Sequence, residues 1–140
     1  MRKTIVISIH PTHLTKILKR EKIFEYRRLA AKSDIDSILI YETAPVSKVV
    51  ALAHVKEVIS LPLAELWEST KSGGGIDEDF FYSYFRGKEI GYAYRIDEIM
   101  PLEKPLSLSQ VGLSSAPQSY AYYRGKMRFR FADQPSDLSA

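Results

Sequence analysis

Apolar and polar residues alternate along the first stretch of the chain in the manner of a β-strand. Residues 3–9, KTIVISI, are rich in β-branched side chains, which favour a pleated, half-buried strand. Pro11 follows and suits the first turn of a helix. Between Thr12 and Arg20 three apolar residues recur at helical spacing, as one face of a helix requires. The pattern predicts a first strand followed by a short amphipathic helix with a basic last turn.

The rest of the chain reads as further strands with short helices between them. Alternation and apolar runs predict strands at residues 22–28, 37–43, 48–60, 89–100 and 126–131, of which 48–60 is expected to be bent or bulged because its alternation drifts. Helical spacing predicts one helix that opens at Pro62 and another over residues 76–85, with Gly73, Gly74 and Gly75 as a flexible connection. Residues 103–108 are expected to be extended, and residues 115–123 to form a loop that leads into a short helical turn.

The order of these elements shows no regular βαβ repeat, which argues against a parallel doubly wound sheet. We expect an α+β fold, a small mixed or antiparallel β-barrel with short helices packed at its ends. The chain of 140 residues has the length of one domain. We expect this domain to cover residues 1–131, with a helical insert at about 61–86, and residues 132–140 to form a frayed tail.

Composition excludes several kinds of chemistry. The sequence has no cysteine, which removes disulfides, thiolate catalysis and zinc sites built on sulfur. No apolar run approaches the roughly 20 residues that cross a bilayer. The first residues, MRKTIVISIHP, begin like a signal peptide, but their apolar run is too short and no small-residue cleavage site follows. We therefore expect a cytoplasmic protein with no membrane partner.

Charge is modest in total, +3, but unevenly placed. Six bases and two acids lie between Lys16 and Arg28, and an acidic segment lies in the middle of the chain. A second basic cluster near the end consists of Arg124, Lys126, Arg128 and Arg130. Such asymmetry indicates an anionic partner for one face, nucleic acid being the usual one. The alternative is a set of solvated surface charges.

The stretch KIFEYRR, residues 22–28, places charges inside a predicted strand. Glu25 and Arg27 share one face, whereas Lys22 joins them only if the chain bends at the start of the strand. Together they suit a polar, planar ligand: Arg27 as a fork for phosphate, Lys22 as a point charge and Glu25 as an acceptor. The alternative is a surface ion-pair ladder worth under about 1 kcal/mol.

These residues resemble the signature of the ASCH domain family, small barrels of the PUA-like superfamily, in which a strand carries the pattern Gly-x-Lys-x-x-(Thr or Glu)-x-Arg. Lys22, Glu25 and Arg27 match that pattern, and Arg20 replaces its glycine. The segments IYETAP, KVVALAHVKEVIS, GYAYRI and PQSYAYY also resemble family elements in the same order. The resemblance runs from about Ile5 to Tyr123. It implies a domain that binds RNA, a nucleotide or a nucleoside in a basic cleft, in the regulation of transcription or translation.

Further residues are candidates for lining that cleft. Tyrosine rings stack on bases, and we assign this role to Tyr41 and Tyr120, while Tyr82, Tyr84, Tyr92 and Tyr94 are expected to pack in the core. Gln118 and Ser119 are candidates for hydrogen bonds to a base edge or phosphate. His10 precedes the first helix and either lines the cleft or caps the helix. No histidine has a carboxylate at metal-ligand spacing, so we expect no metal. We expect no cofactor either.

Two other functions remain open. Some ASCH proteins look like amidohydrolases on acetylated cytidine with a threonine nucleophile, but Glu25 stands at that position and cannot serve as one. Metal-independent RNA cleavage needs only an acid and a base around a 2′-hydroxyl, roles that Lys22, Glu25 and a tyrosine can supply. The third reading is a protein-interaction module whose surface is the acidic helical insert. The sequence does not indicate an oligomeric state.

Overall fold

The computed structural model describes residues 2–31 and 34–132. The strands in this part of the chain are β1 (Lys3–Ile9), β2 (Phe24–Arg27), β3 (Ile35–Glu42), β4 (Lys48–Pro62), β5 (Ile90–Leu106) and β6 (Ala121–Tyr123). Three short helices accompany them, α1 (Pro11–Leu18), α2 (Leu63–Thr70) and α3 (Glu78–Tyr84). Single 3-10 turns cover Lys71–Gly73 and Ser109–Val111. None of the helices among the described residues has the length and apolar character needed to cross a membrane.

The six strands form one mixed sheet in the order β2-β5-β4-β3-β1-β6. β1 and β3 are parallel, and all other neighbours are antiparallel. The α+β class is therefore confirmed. The expected bulging of the fourth strand is also present, as shifts of register between β4 and β5 near Val49, His54 and Val55.

The expected β-barrel is wrong, because the sheet is open. β2 and β6 are its two edges, and no ladder joins them in the described part of the chain. β2 has only four residues and pairs with β5 alone. Its link to β1 is a side chain, since Arg27 Nη2 donates a hydrogen bond to the Ser8 carbonyl. Between β1 and β2, a side-chain hydrogen bond therefore takes the place of the strand pairing that would close a barrel.

Three apolar clusters stabilise the fold. The largest lies between the sheet and α1 and includes Ile7, Leu14 and Ile17, all at most 2% exposed. A second cluster surrounds Leu39 and Val49 on the other side of the sheet. The third packs α2 and α3 against β2 and β5, with the residues Phe24, Tyr26, Leu66, Phe81, Phe85 and Ala93 at its centre. The two helices that follow β4 are therefore part of the packed fold and hold one edge of the sheet in place.

The last part of the chain differs from the sequence pattern. The helical turn expected in residues 115–123 is wrong, because Ala121–Tyr123 is strand β6 and pairs with Thr4–Val6. The last strand expected at 126–131 is also wrong: the segment makes one isolated bridge, between Leu102 and Phe131. β5 continues to Leu106 and takes in most of the stretch expected to be merely extended. The frayed tail was expected at residues 132–140, of which the structure describes only Ala132. The Ala132 N–H donates to the Pro101 carbonyl at 2.9 Å, and residues 133–140 lie outside the described residues.

Candidate functional site

A cavity of about 190 Å³ lies where the end of β1, the start of α1, β2 and α3 meet. Its charged and polar lining comes from the end of β1, the start of α1, and β2 with the residue Lys22 before it, and its apolar lining comes mainly from α3 and the residues before it. The lining residues are Ser8, Ile9, His10, His13, Lys22, Glu25, Tyr26, Arg27, Ile76, Phe80 and Tyr84. Four residues predicted for the site, His10, Lys22, Glu25 and Arg27, therefore border one cavity.

A tight turn before β2 brings Lys22 to the cavity. Arg20 adopts a φ of 63°, the left-handed region that favours glycine, at the position where the ASCH pattern has glycine. This turn supplies the bend that Lys22 needs to face Glu25. The Arg20 guanidinium is not part of the cavity lining; it donates to the carbonyls of Ile96 at 3.4 Å and Asp97 at 3.2 Å.

Lys22 is a buried cation, only 2% exposed. Its Nζ donates a hydrogen bond of 2.7 Å to the Gly74 carbonyl and lies 3.8 Å from Glu25 Oε1. It also lies 5.0 Å from the centre of the Tyr26 ring. Burial lowers the pKa of Lys22 from its ordinary value of 10.5; Glu25 opposes this, and Lys16 acts in the same direction as burial. Lys22 is thus a proton donor of lowered basicity next to an anion.

The glycines at 73–75, between α2 and α3, bind Lys22 through a backbone carbonyl. The sequence analysis predicted only a flexible connection here. Besides Gly74, the carbonyl of Gly75 accepts a bond of 2.8 Å from Lys16 Nζ. A Cβ on Gly74 would lie 2.2 Å from the Tyr26 hydroxyl, and Gly75 has a φ of 70°. Side chains at these positions would prevent the close approach, so the glycines allow backbone carbonyls to reach both lysines.

Glu25 and Arg27 form the second ion pair of the site. Glu25 Oε2 lies 3.1 Å from Arg27 Nη2, and the two side chains are 9% and 12% exposed. The carboxylate therefore has a cation on each side. A guanidinium has five N–H donors, of which Nη2 serves Glu25 and the Ser8 carbonyl. Arg27 Nε is buried and has no hydrogen-bond partner among the described residues, so donors remain for a ligand.

Both nearby histidines border the cavity. His10 caps α1, because its Nδ1 accepts a bond of 3.1 Å from the Thr12 N–H, and it lines the cavity as well. His13 was not predicted as a site residue. Burial lowers the pKa of His13 from 6.5, Glu25 opposes this and Lys22 adds to it. The imidazole is therefore mostly neutral at pH 7 and able to accept a proton. Its Nδ1 is buried without a hydrogen-bond partner in the described part of the chain.

Aromatic rings form the opposite wall. Tyr84, which the sequence analysis assigned to packing, lines the cavity and donates from its hydroxyl to the Tyr26 carbonyl at 3.1 Å. Burial raises the pKa of the Tyr84 phenol above its ordinary value of 10.0. Phe80 is 50% exposed at the edge of the cavity, 6.1 Å from His13 between ring centres. A large ring so exposed beside charged groups offers a surface on which a base can stack.

The other predicted site residues do not line the cavity. Tyr41 pairs with Ser8 in the β1–β3 ladder, but its side chain packs in the second apolar cluster. Tyr120 packs against the first cluster. The segment with Gln118 and Ser119 adjoins the rim, because the Ser8 hydroxyl donates to the Pro117 carbonyl at 2.9 Å. Their part in binding stays a prediction. Among the described residues no group of three or more His, Asp or Glu side chains could hold a metal ion.

We compared the sequence and the structure of the chain with those of known proteins. No family model matches the chain. The curated "ASCH domain-containing ribonuclease" of Zymomonas mobilis is 28% identical over 128 residues, which cover 88% of this chain and 86% of that protein. The crystal structure of ASCH from Zymomonas mobilis has a TM-score of 0.76 at 28% identity and covers 89% of this chain and 90% of its own. A mutant of that protein has a TM-score of 0.75 at the same identity, over 88% of this chain and 91% of its own.

The sheet and the cavity define a small mixed-sheet domain built around a buried lysine–glutamate–arginine cluster. The order of its sequence elements resembles that of ASCH domains, and the similar proteins of Zymomonas mobilis carry that name. The chain is therefore similar to ASCH domain proteins over most of its length.

Proposed function

We propose that this protein binds single-stranded RNA with one phosphate in the cavity and cleaves it without a metal ion. The observation that carries the proposal is the position of Glu25, buried between the Lys22 ammonium and the Arg27 guanidinium in a cavity that a neutral imidazole also lines. Support also comes from the name of the relative in Zymomonas mobilis, a ribonuclease.

Binding of phosphate follows from the unused donors of the two cations. An ammonium has three donors, and the Gly74 carbonyl and Glu25 occupy at most two of those on Lys22. Arg27 retains its Nε. Buried polar atoms are normally paired, and the two buried side-chain nitrogens without partners among the described residues, His13 Nδ1 and Arg27 Nε, both belong to this cavity. A phosphate oxygen pairs well with such donors.

Cleavage needs one group to take a proton and one to give a proton. The 2′-hydroxyl loses its proton to the neutral His13 imidazole, and its oxygen attacks the adjacent phosphorus. The bond from phosphorus to the 5′-oxygen breaks, and Lys22, whose lowered pKa makes it a better donor than an ordinary lysine, protonates the leaving oxygen. The products are a 2′,3′-cyclic phosphate and a 5′-hydroxyl. Because the attacking group is the 2′-hydroxyl, DNA is not a substrate.

The competing readings receive less support. A nucleoside amidohydrolase would need a nucleophile where this chain has Glu25, a carboxylate held by two cations. A protein-interaction surface on the helical insert would have to share its residues with the cavity, because Phe80 and Tyr84 line it and Gly74 binds Lys22. Deleting the insert therefore cannot separate the two roles. An activity on RNA also fits the regulatory role implied by the family resemblance.

The test is incubation of purified protein with end-labelled single-stranded RNA and DNA of the same sequence in EDTA. We expect cyclic-phosphate products from RNA alone, and a loss of at least about 10²-fold in rate for Lys22→Met, the scale of general acid–base catalysis. Lys56→Met, at an exposed position on β4, is the matched control and should keep the wild-type rate. Cleavage by Lys22→Met at the wild-type rate, or dependence on a metal ion, would refute the mechanism. Binding of RNA without any cleavage would leave only the binding half of the proposal.

A further inference from the structure

A second basic surface lies outside the cavity, at the end of the described chain. From Lys104 to Ala132 the sequence has five basic residues and no carboxylate. Four of them, Arg124, Lys126, Arg128 and Arg130, fall within residues 124–130, which we call the basic segment. All four are exposed, whereas Phe129 is half-buried and packs against the second apolar cluster. None of the ion pairs among the described residues includes any of the four cations.

Hydrogen bonds fix the basic segment to the fold at two points. In its middle, the Met127 N–H donates to the Tyr123 hydroxyl at 2.9 Å. Gly125 permits this approach, because a Cβ there would lie 2.5 Å from the same hydroxyl. At its end, the Glu103 N–H donates to the Arg130 carbonyl at 2.9 Å. The cations are thus displayed along the outer part of β5 by an anchored backbone, which lowers the entropic cost of aligning them with a ligand.

The chain that leads to this segment begins at the cavity. Ser8 lines the cavity and binds the Pro117 carbonyl, and from there β6 runs antiparallel to β1 as far as the pair of Thr4 with Tyr123. The four residue-to-residue steps from Ser8 to Thr4 span about 13 Å, a distance of a few nucleotides. At the far end Lys3 Nζ and the Arg124 guanidinium lie 5.2 and 5.8 Å from the Tyr122 ring centre. Two cations and a ring therefore lie at the end of β6 that adjoins the basic segment.

We propose that the basic segment is a second RNA-contact surface, which binds the phosphates of nucleotides that flank the one in the cavity. The identity of this partner rests on the proposed function. Glu103 lines the same pocket as Arg128 and Arg130, but the four cations of the segment outnumber it. Spaced cations of this kind neutralise successive phosphates and release their counterions. On this proposal long RNA gains affinity from the basic segment, whereas a trinucleotide binds through the cavity alone.

The experiment compares two lengths of RNA and two sets of substitutions. Fluorescence anisotropy measures binding of labelled 2′-O-methyl oligonucleotides of about 3 and about 15 nucleotides, whose blocked 2′-oxygen prevents cleavage. The test variant carries Arg124→Gln, Lys126→Gln and Arg128→Gln. The control carries Lys48→Gln, Lys56→Gln and Lys88→Gln, which remove the same charge from exposed positions elsewhere. Thermal unfolding verifies that both variants are folded.

We expect the test variant to bind the longer RNA at least about 30-fold more weakly, with affinity for the trinucleotide changed less than about 3-fold. For this variant, the slope of log affinity against log salt concentration should become less steep by about 2, since each of the three lost phosphate contacts contributes about 0.7 for single strands. The control should change both affinities less than about 3-fold. Equal weakening by the control, an unchanged affinity of the test variant for long RNA, or displacement of RNA by an acidic peptide of equal charge would overturn the proposal.

The two proposals fail in different ways. If the wild-type protein neither binds nor cleaves RNA of any length, the proposed function is wrong. If it cleaves a trinucleotide but binds long and short RNA equally well, the cavity keeps its function and the basic segment loses the one proposed here.

Discussion

Lys22 Nζ and Glu25 Oε1 lie 3.8 Å apart, and both side chains are almost completely buried. Their positions, three apart, would face opposite ways on a regular strand. The turn at Arg20 and the hydrogen bond from Lys22 to Gly74 bring them together. Burying two charges is expensive unless each is paired, and here Glu25 pairs with Lys22 on one side and with Arg27 on the other.

Glu25 is the anion on which two buried cations depend, and its loss should be costly. We predict that Glu25→Gln lowers the free energy of unfolding by about 3 kcal/mol, the usual cost of leaving a buried charge without its partner. Urea unfolding at neutral pH measures this. The control is Glu57→Gln, since Glu57 is half exposed and pairs with Arg95 at 3.3 Å; it should cost under about 1 kcal/mol. Equal losses for the two variants would contradict the structural role of Glu25.

The sequence predicted the parts of the site that depend on local pattern. Glu25 and Arg27 share a face because strand side chains repeat every second residue, and the structure has them 3.1 Å apart. It did not predict which tyrosine meets the cavity. Tyr41 follows Ile40 and Tyr84 precedes Phe85, so both have an apolar neighbour in the sequence. Only the packing of α3 against β2, far away in sequence, brings Tyr84 to the cavity.

The close approach of Gly74 to Tyr26 should tolerate no side chain. We predict that Gly74→Ala lowers the free energy of unfolding by about 1–3 kcal/mol, the usual cost of overpacking, because its Cβ would lie 2.2 Å from the Tyr26 hydroxyl. That hydroxyl is buried and bound to Thr70 at 2.6 Å, so it cannot move away freely. RNA cleavage should fall as well, since the Gly74 carbonyl orients Lys22. Denaturant unfolding and the cleavage assay measure both effects.

Gly87 provides the matched control for that substitution. It has a φ of 84° and nothing within 4 Å of the position of an added Cβ. Asparagine tolerates this conformation better than most residues, so Gly87→Asn should cost under about 1 kcal/mol and leave cleavage unchanged. Gly74 has a φ of −84°, which any residue adopts, so a loss as large as that of Gly74→Ala would mean that replacing a glycine is costly even where the added side chain meets no contact.

Two features of the fold were hidden from sequence reasoning for a physical reason. Lys22 and Gly74 are 52 residues apart, and three consecutive glycines resemble a flexible connection unless the side chains packed over them are known. Residues 126–131 alternate like a strand, but alternation requires only one apolar and one polar face. Phe129 and Phe131 pack against the second apolar cluster, but this packing does not require the segment to pair with another strand.

The lowered pKa of His13 makes stability depend on pH in a predictable direction. The folded protein takes up a proton on His13 at a lower pH than the unfolded chain, whose value is 6.5. The unfolded state therefore binds more protons between these two pKa values, and the free energy of unfolding falls as the pH drops through that window. His13→Gln should lack this contribution. Chemical unfolding at about pH 7 and about pH 5 measures the difference between the two proteins; a difference that stays constant with pH would contradict burial of a neutral imidazole.

Phe80 should contribute to binding through stacking and little to stability. It is 50% exposed at the edge of the cavity, and the acidic residues beside it, Asp77, Glu78 and Asp79, disfavour a phosphate there. A nucleobase is therefore its expected contact. We predict that Phe80→Ala weakens binding of a 2′-O-methyl trinucleotide by about 1–3 kcal/mol, measured by anisotropy, and that Phe80→Trp retains it. Tyr82→Ala is the control, because Tyr82 is 39% exposed on the same helix and does not line the cavity. Equal weakening by Tyr82→Ala would show that the helix as a whole, and not the Phe80 ring, supports binding.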